Sequence, residues 1–213
     1  RNQLSRPMQI LARHNYLNGD FSVLDYGCGK GDDLRELEAH GLDISGWDPA
    51  HNPEGLLVNS DIVNLGFVLN VIEEKEERIE CLNRAWSYAD KLLIASVMVA
   101  GDSVISQFTP YKDGVVTSRK TFQKYYAQSE FRSFLETNLS ENAIAVGQGI
   151  FILFKDKMEE QSFLLERQHI NRDWQQKTQR ELRTRETTVK KDLIDKHIEL
   201  FTDFWNVALD LGR

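Results

Sequence analysis

The run Val23-Leu-Asp-Tyr-Gly-Cys-Gly-Lys-Gly-Asp-Asp33 constrains the fold more than any other stretch of this 213-residue chain. A short apolar strand breaks into a turn with glycine at 27, 29 and 31, and a helical pattern runs on from Asp32 to His40. Glycine admits positive φ and removes the Cβ that would hold a ligand away. The beginning of the following helix presents unpaired N–H groups. The next strand, Leu42–Asp48, ends Gly46-Trp47-Asp48-Pro49, which sets a carboxylate 23 residues beyond Asp25. An acidic residue about 20 positions past a glycine turn is where doubly wound folds hold a ribose hydroxyl pair. A glycine turn alone is only a turn. Strand, turn, helix and acidic strand end in this order make a nucleoside-binding corner.

The spacing favours S-adenosylmethionine over NAD. It reads Asp-x-Gly-x-Gly-x-Gly, not G-x-G-x-x-G, and Asp25 precedes the first glycine. A carboxylate there suits the ammonium of a methionine moiety, whereas a pyrophosphate prefers bare N–H groups with no anion nearby. On this reading Asp25 takes the ammonium, Gly27, Gly29 and Gly31 allow close backbone approach, and Cys28 is a small residue that fits the turn. Asp48 takes the ribose hydroxyls, and Asn64 and Leu65, at the end of a central strand, complete the cofactor set. Asp32 and Asp33 are either helix N-terminal charges favoured by the dipole or neighbours of the cofactor amine. Trp47 lines the adenine pocket or belongs to the core.

Ligands of open α/β sheets sit outside the carboxyl ends of strands. Asn64 and Asn70 are therefore candidate acceptor-side or cofactor-carbonyl contacts, although Asn70 reads equally as a helix cap. An acceptor needing deprotonation would use Glu73 or a tyrosine, Tyr125 for choice, as its base. The catalytic candidates are thus Asn70, Glu73 and Tyr125. Gln123, Lys124, Tyr125 and Tyr126 form either a lid or half-buried packing at a helix start. The histidines at 14, 40, 51, 169 and 197 show no metal-ligand spacing, so no metal is expected.

Periodicity places an amphipathic helix over Pro7–Asn18, strands over Ser22–Tyr26 and Asp61–Leu65, and a helix from Glu73 to Ala89. That helix turns Ile79, Leu82, Ala85 and Trp86 inward. A near-continuous apolar strand over Lys91–Val99 is of the kind covered on both faces of a parallel sheet. Only Pro49–Ser60 lies between the second strand and the next central one. A helix–strand unit is therefore missing, or reduced to a loop with a short strand near Gly55–Val58. A hairpin is expected about Asp113-Gly114, then a helix or helix pair across Thr121–Asn138 with Ser129 as cap. Asn142–Val146 and Gly149–Phe154 form an antiparallel pair at the sheet edge. The domain reading is 1–154 for this α/β part and 155–213 for a charged helical extension. In that extension Leu193, His197, Leu200, Phe201, Phe204, Val207 and Leu211 form a stripe that requires a covering surface, in cis or in an oligomer.

Residues 1–154 carry 14 basic and 21 acidic side chains, a poor match for a phosphate backbone. The exception is Lys177–Lys191, six basic against two acidic, a solvated helix face or a weak nucleic-acid contact. The longest apolar stretch, Leu92–Ala100, is too short to cross a bilayer. The opening Arg-Asn-Gln-Leu-Ser-Arg-Pro has no leader-like apolar core behind it, and both ends read as trimmed. Two cysteines, Cys28 and Cys81, make no disulfide framework, so a cytoplasmic setting is expected.

Several runs resemble one family. Leu24-Asp-Tyr-Gly-Cys-Gly-Lys-Gly-Asp-Asp33, Gly46-Trp-Asp-Pro49, Val63-Asn-Leu-Gly-Phe-Val-Leu-Asn-Val-Ile-Glu73 and Thr121-Phe-Gln-Lys-Tyr-Tyr126 are similar to those of the DNA phosphorothioation-associated methyltransferases. So are Leu4-Ser-Arg-Pro-Met8, Gly149-Ile-Phe-Ile-Leu-Phe154, Phe204-Trp and Leu211-Gly-Arg213. The first run is common to all class I methyltransferases, while the third and fourth are far more specific. The resemblance implies a Rossmann-like class I sheet, mostly parallel with an antiparallel edge hairpin, and S-adenosylmethionine as cofactor. It also implies a role near DNA sulfur-modification defence genes, with defence-system proteins as partners. Amino methylation of a base uses an Asn/Asp-Pro-Pro-aromatic loop, and the chain has no Pro-Pro. Cytosine C5 methylation needs a cysteine after a proline, whereas Cys28 follows Gly27 and Cys81 follows Glu80. The acceptor stays open between a nucleic acid and a small molecule. The alternative to an enzyme is a silent cofactor-binding module docked to a defence complex through its helical tail.

Overall fold

The structure is a computed structural model that describes residues 3–168. The chain divides into two units, Arg1–Glu160 and Gln161–Arg213. Of the second unit residues 161–168 are described, and they are helical. The apolar stripe over Leu193–Leu211 and the basic run Lys177–Lys191 lie outside the described residues.

In the first unit the glycine-turn segment folds as expected: β1 (Val23–Tyr26), α2 (Asp32–Ala39) and β2 (Ile44–Trp47), preceded by α1 (Arg6–Arg13). The central strands are β3 (Ser60–Gly66) and β4 (Ala89–Ser96), with α3 (Lys75–Ser87) between them. A short helix α4 (Asp102–Ile105) leads into a small antiparallel sheet of β5 (Thr109–Tyr111), β6 (Gly114–Val116) and β7 (Phe122–Gln123). Helix α5 (Gln128–Leu139) and the hairpin β8 (Ile144–Gly147) with β9 (Ile150–Phe154) complete the unit.

The main sheet has the order β2-β1-β3-β4-β9-β8. Its first four strands are parallel, and β9 joins β4 antiparallel with β8 outside it. Side chains alternate across each strand. Leu24, Tyr26, Val63, Leu65, Leu93, Ala95, Phe151 and Leu153 share one core with Leu82 and Ala85 of α3 and Phe131 and Leu135 of α5. The chain reverses direction through the sheet beside β1, since β2 lies on one side and β3 on the other. That reversal opens a crevice at the strand ends.

Phe131 anchors the α5 side of this core. It is wholly buried, with ring centroids 5.2 Å from Tyr126 and 5.7 Å from Phe151. Phe131→Ala should lower the unfolding free energy by about 3–5 kcal/mol, read as a shift in the urea midpoint at unchanged m-value.

Four expectations need correction. The helix expected from Thr121 begins at Gln128, with Ala127 rather than Ser129 as N-cap. The segment before it is β7 and an extended stretch, because the Lys124 N–H is donated to Asn70 O and the Tyr126 N–H to Met98 O. No strand forms near Gly55–Val58, so the helix–strand unit is replaced by a loop alone. The buried face of α3 is Arg78, Leu82 and Ala85, with Ile79 and Trp86 only half-buried. Asn70 caps no helix, since α3 starts at Lys75 with Glu74 before it.

Candidate functional site

The loop standing in for the missing unit is built around Asp48. Asp48 and Asn52 exchange backbone hydrogen bonds at 3.2 and 3.0 Å, and Asn52 Nδ2 donates to Gly46 O at 2.8 Å. Gly55 closes the loop through its N–H to Asn52 O, so tightly that a Cβ on it would lie 2.1 Å from Gly46 O. This folding delivers the Asp48 carboxylate to the glycine turn. Its Oδ2 accepts the Gly29 N–H at 3.1 Å, and its Oδ1 accepts the N–H groups of Ala50 and His51 at 2.9 and 2.8 Å. Partial burial opposes the charge. Those donors and the His51 ring more than offset it, so the carboxyl sits below the usual aspartate range.

On the other side of the turn, Trp47 O accepts the N–H groups of Gly27 and Cys28, locking the β1 end to the β2 end. Gly27 has φ +87°, and a Cβ there would lie 2.3 Å from Val68 Cγ2, so only glycine fits between strand tip and loop. Val68 follows Phe67, a non-glycine residue at φ +60° whose N–H is donated to Ser96 O. Bulky residues seldom take this conformation, and such strain gathers at ligand-binding positions.

These groups wall a cavity of about 520 Å³ whose lining includes Gly27, Trp47, Asp48, Phe67, Val68 and Arg84. Trp47 belongs to both the core and the cavity wall. It packs against the core, 5.1 Å from the Tyr26 ring, and it faces the cavity with the Arg84 guanidinium 5.5 Å from its ring. Glu77, Glu80, Cys81 and Arg84 of α3 complete that side. Sequence reading missed this α3 wall, although the spacing 77, 80, 81, 84 marks one helical face.

Besides Trp47, only Gly27 and Asp48 of the predicted site residues stand in the wall of this cavity. Asp25 is buried, and its Oδ1 accepts the Asn64 amide at 2.8 Å on the sheet face opposite Leu24 and Tyr26. It does not wall the cavity. Asn64 Oδ1 is buried without a hydrogen-bond partner, and so are Asn70 Oδ1 and Ser96 Oγ. Such buried polar atoms call for a hydrogen-bond partner. The Leu65 side chain lies wholly in the core, which leaves its backbone as the part that could face a ligand. Gly31 caps α2 in a left-handed conformation. Cys28 stays a neutral thiol, its pKa pushed up to about 11 by burial and by Asp25. Asp33 accepts the Ser5 N–H and Asp32 pairs with Arg35, which agrees with their reading as helix-start groups.

The proposed base Glu73 is engaged elsewhere. Lys112 pairs with it at 2.7 Å and the Tyr111 hydroxyl donates to it at 2.9 Å, and these donors hold its carboxyl below the usual range. Tyr125 stacks on Phe108 with centroids 6.0 Å apart, away from the Asp48 cavity. Among the described residues no group of three or more His, Cys, Asp or Glu could hold a metal ion. No helix among them is long and apolar enough to cross a membrane.

Comparison with known proteins identifies a family and a fold. The family model described as "Methyltransferase domain" matches residues 2–129. The chain is similar in fold to 1,6-didemethyltoxoflavin-N1-methyltransferase of Burkholderia thailandensis, solved with 1,6-didemethyltoxoflavin and S-adenosylhomocysteine. The TM-score is 0.52 at 14% identity, over 71% of this chain and 78% of that one. A SAM-dependent methyltransferase of Methanosarcina mazei matches with a TM-score of 0.52 at 14% identity, over 71% of this chain and 96% of that one. No curated protein matches the sequence.

Proposed function

The chain belongs to the methyltransferase-domain family, and we propose that it transfers the methyl group of S-adenosylmethionine to a small-molecule acceptor in the service of a DNA sulfur-modification defence system. One observation carries the cofactor assignment: the Asp48 carboxylate is held by backbone donors at the mouth of a cavity at the sheet's reversal point. The residues fit the group. Asp48 Oδ2 keeps acceptor capacity beyond its one N–H, as a ribose hydroxyl pair requires. The cavity wall of Trp47, Phe67 and Val68 suits an adenine face. Asn64 Oδ1, unpaired, offers an acceptor for an ammonium beside the Asp25 carboxylate.

S-adenosylmethionine, when bound, supplies a methyl group already activated on a sulfonium sulfur. The chain's own part is then to orient and exclude water. Asp48 and the glycine turn fix the sugar, and Val68 against Gly27 closes the space behind it. Asn70, buried with its amide oxygen unpaired, is the acceptor-side group, able to take a hydrogen bond from an amine or hydroxyl. With Glu73 tied to Lys112, the reading favours acceptors that react without a strong protein base.

A small acceptor is favoured over a nucleic acid by the excess of acidic side chains in residues 1–154. The link to DNA phosphorothioation rests on the sequence runs around Val63–Glu73 and Thr121–Tyr126. The engagement of Glu73 by Lys112 gives the second reading its support: a silent module that binds the cofactor and docks to defence proteins, alone or as an oligomer, through residues 155–213. Incubation with tritiated S-adenosylmethionine and fractionated cell extract, DNA and tRNA separates these. Label is expected in the small-molecule fraction. Label in DNA or tRNA would overturn the acceptor assignment, and none in any pool would leave the silent module.

A further inference from the structure

A second cavity, of about 520 Å³, lies among α3, α5 and the turn of the β5–β6 hairpin. Helix α3 separates it from the cofactor cavity: Glu77, Glu80, Cys81 and Arg84 wall one, while Lys75, Arg78 and Ile79 wall the other. Arg78 is 1% exposed, an unusual depth for a guanidinium, which stays charged under all physiological conditions. Its Nη2 donates to Asp113 Oδ2 at 2.6 Å, yet Nε and Nη1 are buried with no hydrogen-bond partner. Asp113, with the Tyr126 hydroxyl beside the guanidinium, therefore leaves donors of the five-donor fork unused.

The rest of the cavity is built in the same sense. Lys124, 8% exposed, brings its Nζ within 2.8 Å of Glu130 and 3.4 Å of Asp113, and lies 4.7 Å from the Tyr126 ring centroid. Ser133 and Thr137 of α5 line the wall at helical spacing. The charged groups are Lys75, Arg78 and Lys124 against Asp113 and Glu130, a cationic excess inside an otherwise acidic unit. Asp113 is the movable part: it sits on the hairpin turn and its side chain is 42% exposed.

We propose that this cavity is an oxyanion site, separate from the cofactor cavity, in which Arg78 and Lys124 bind a carboxylate or phosphate group and Asp113 occupies part of the site when no ligand is present. Either guanidinium edge, Nε with Nη2 or Nη1 with Nη2, matches the paired oxygens of either anion once Asp113 releases Nη2. Asp113 then competes with the ligand for the same fork.

The test is calorimetric titration of the full chain with inorganic phosphate and, separately, with malonate, at constant ionic strength. Saturable binding of at least one is expected, and which one binds tells tetrahedral from planar recognition. Asp113→Asn removes the competing charge and should tighten that binding about tenfold, whereas Lys124→Gln should weaken it about tenfold. The Asp113 side chain reaches the surface, whereas Lys124 is buried and glutamine keeps most of its length there, and circular dichroism verifies that both variants fold. A merely structural Asp113–Arg78 pair would not bind more tightly when broken. Failure of both anions to saturate, or equal affinities in the wild type and both variants, would overturn the proposal.

Discussion

Asp48→Ala should weaken S-adenosylmethionine binding by about 100-fold, since two hydroxyl hydrogen bonds to a carboxylate are worth about 1.5–3 kcal/mol each before reorganisation. The effect has two sources. The ribose loses its acceptor, and the N–H groups of Gly29, Ala50 and His51 lose the carboxylate that holds turn and loop together. Asp48→Asn should be nearly as damaging, because an amide that keeps its oxygen toward Ala50 and His51 turns its NH2 against the Gly29 N–H. The pH dependence follows from the lowered carboxyl pKa. A depressed acid contributes its stability fully above its unfolded value and loses it as pH falls through the lower folded value. Cofactor affinity should therefore hold across neutral and mildly acidic pH and fail only below the usual aspartate range. Calorimetry over a pH series measures both effects.

Gly55→Ala should damage the same site from outside it. The added Cβ would fall 2.1 Å from Gly46 O and 2.5 Å from Asn52 Nδ2, a backbone atom and a side chain fixed by its own bond to Gly46. Overpacking of this kind costs about 1–3 kcal/mol. The strain falls on the loop that delivers Asp48, so affinity for S-adenosylmethionine should drop together with thermal stability. A variant that loses stability while binding the cofactor normally would show that the loop does not position the carboxylate. Alanine at Gly101, where a Cβ meets nothing within 4 Å, is the matched control.

Local signals carried most of this architecture. The glycine turn, the acidic end of β2, the apolar β4 and the β8–β9 hairpin are written in adjacent residues, and so is the shortness of the Pro49–Ser60 connection. What that connection becomes was not legible, because its structure depends on Asn52 and Gly55 reaching back to Gly46. The segment before α5 misled for a related reason. Its helical composition is overruled by hydrogen bonds from Lys124 to Asn70 and from Tyr126 to Met98, far away in sequence. The burial of Arg78 is equally invisible locally, since Asp113 lies 35 residues on. Leu65 and Asn64 show the limit at the site itself: neighbours at one strand end, they point to opposite faces, one into the core and one to Asp25. Glu73 and Tyr125 have the chemistry of a base in the sequence, and only tertiary contacts reveal their partners, Lys112 and Phe108.

Crystals grown with S-adenosylhomocysteine offer the most direct measurement. The ribose hydroxyls should lie within hydrogen-bond distance of Asp48 Oδ2, with the adenine between Trp47 and Val68 and the amino-acid end toward Asn64. Density for the ligand elsewhere, or a cavity still filled only by solvent at saturating ligand, would contradict the assignment of this corner as the cofactor site.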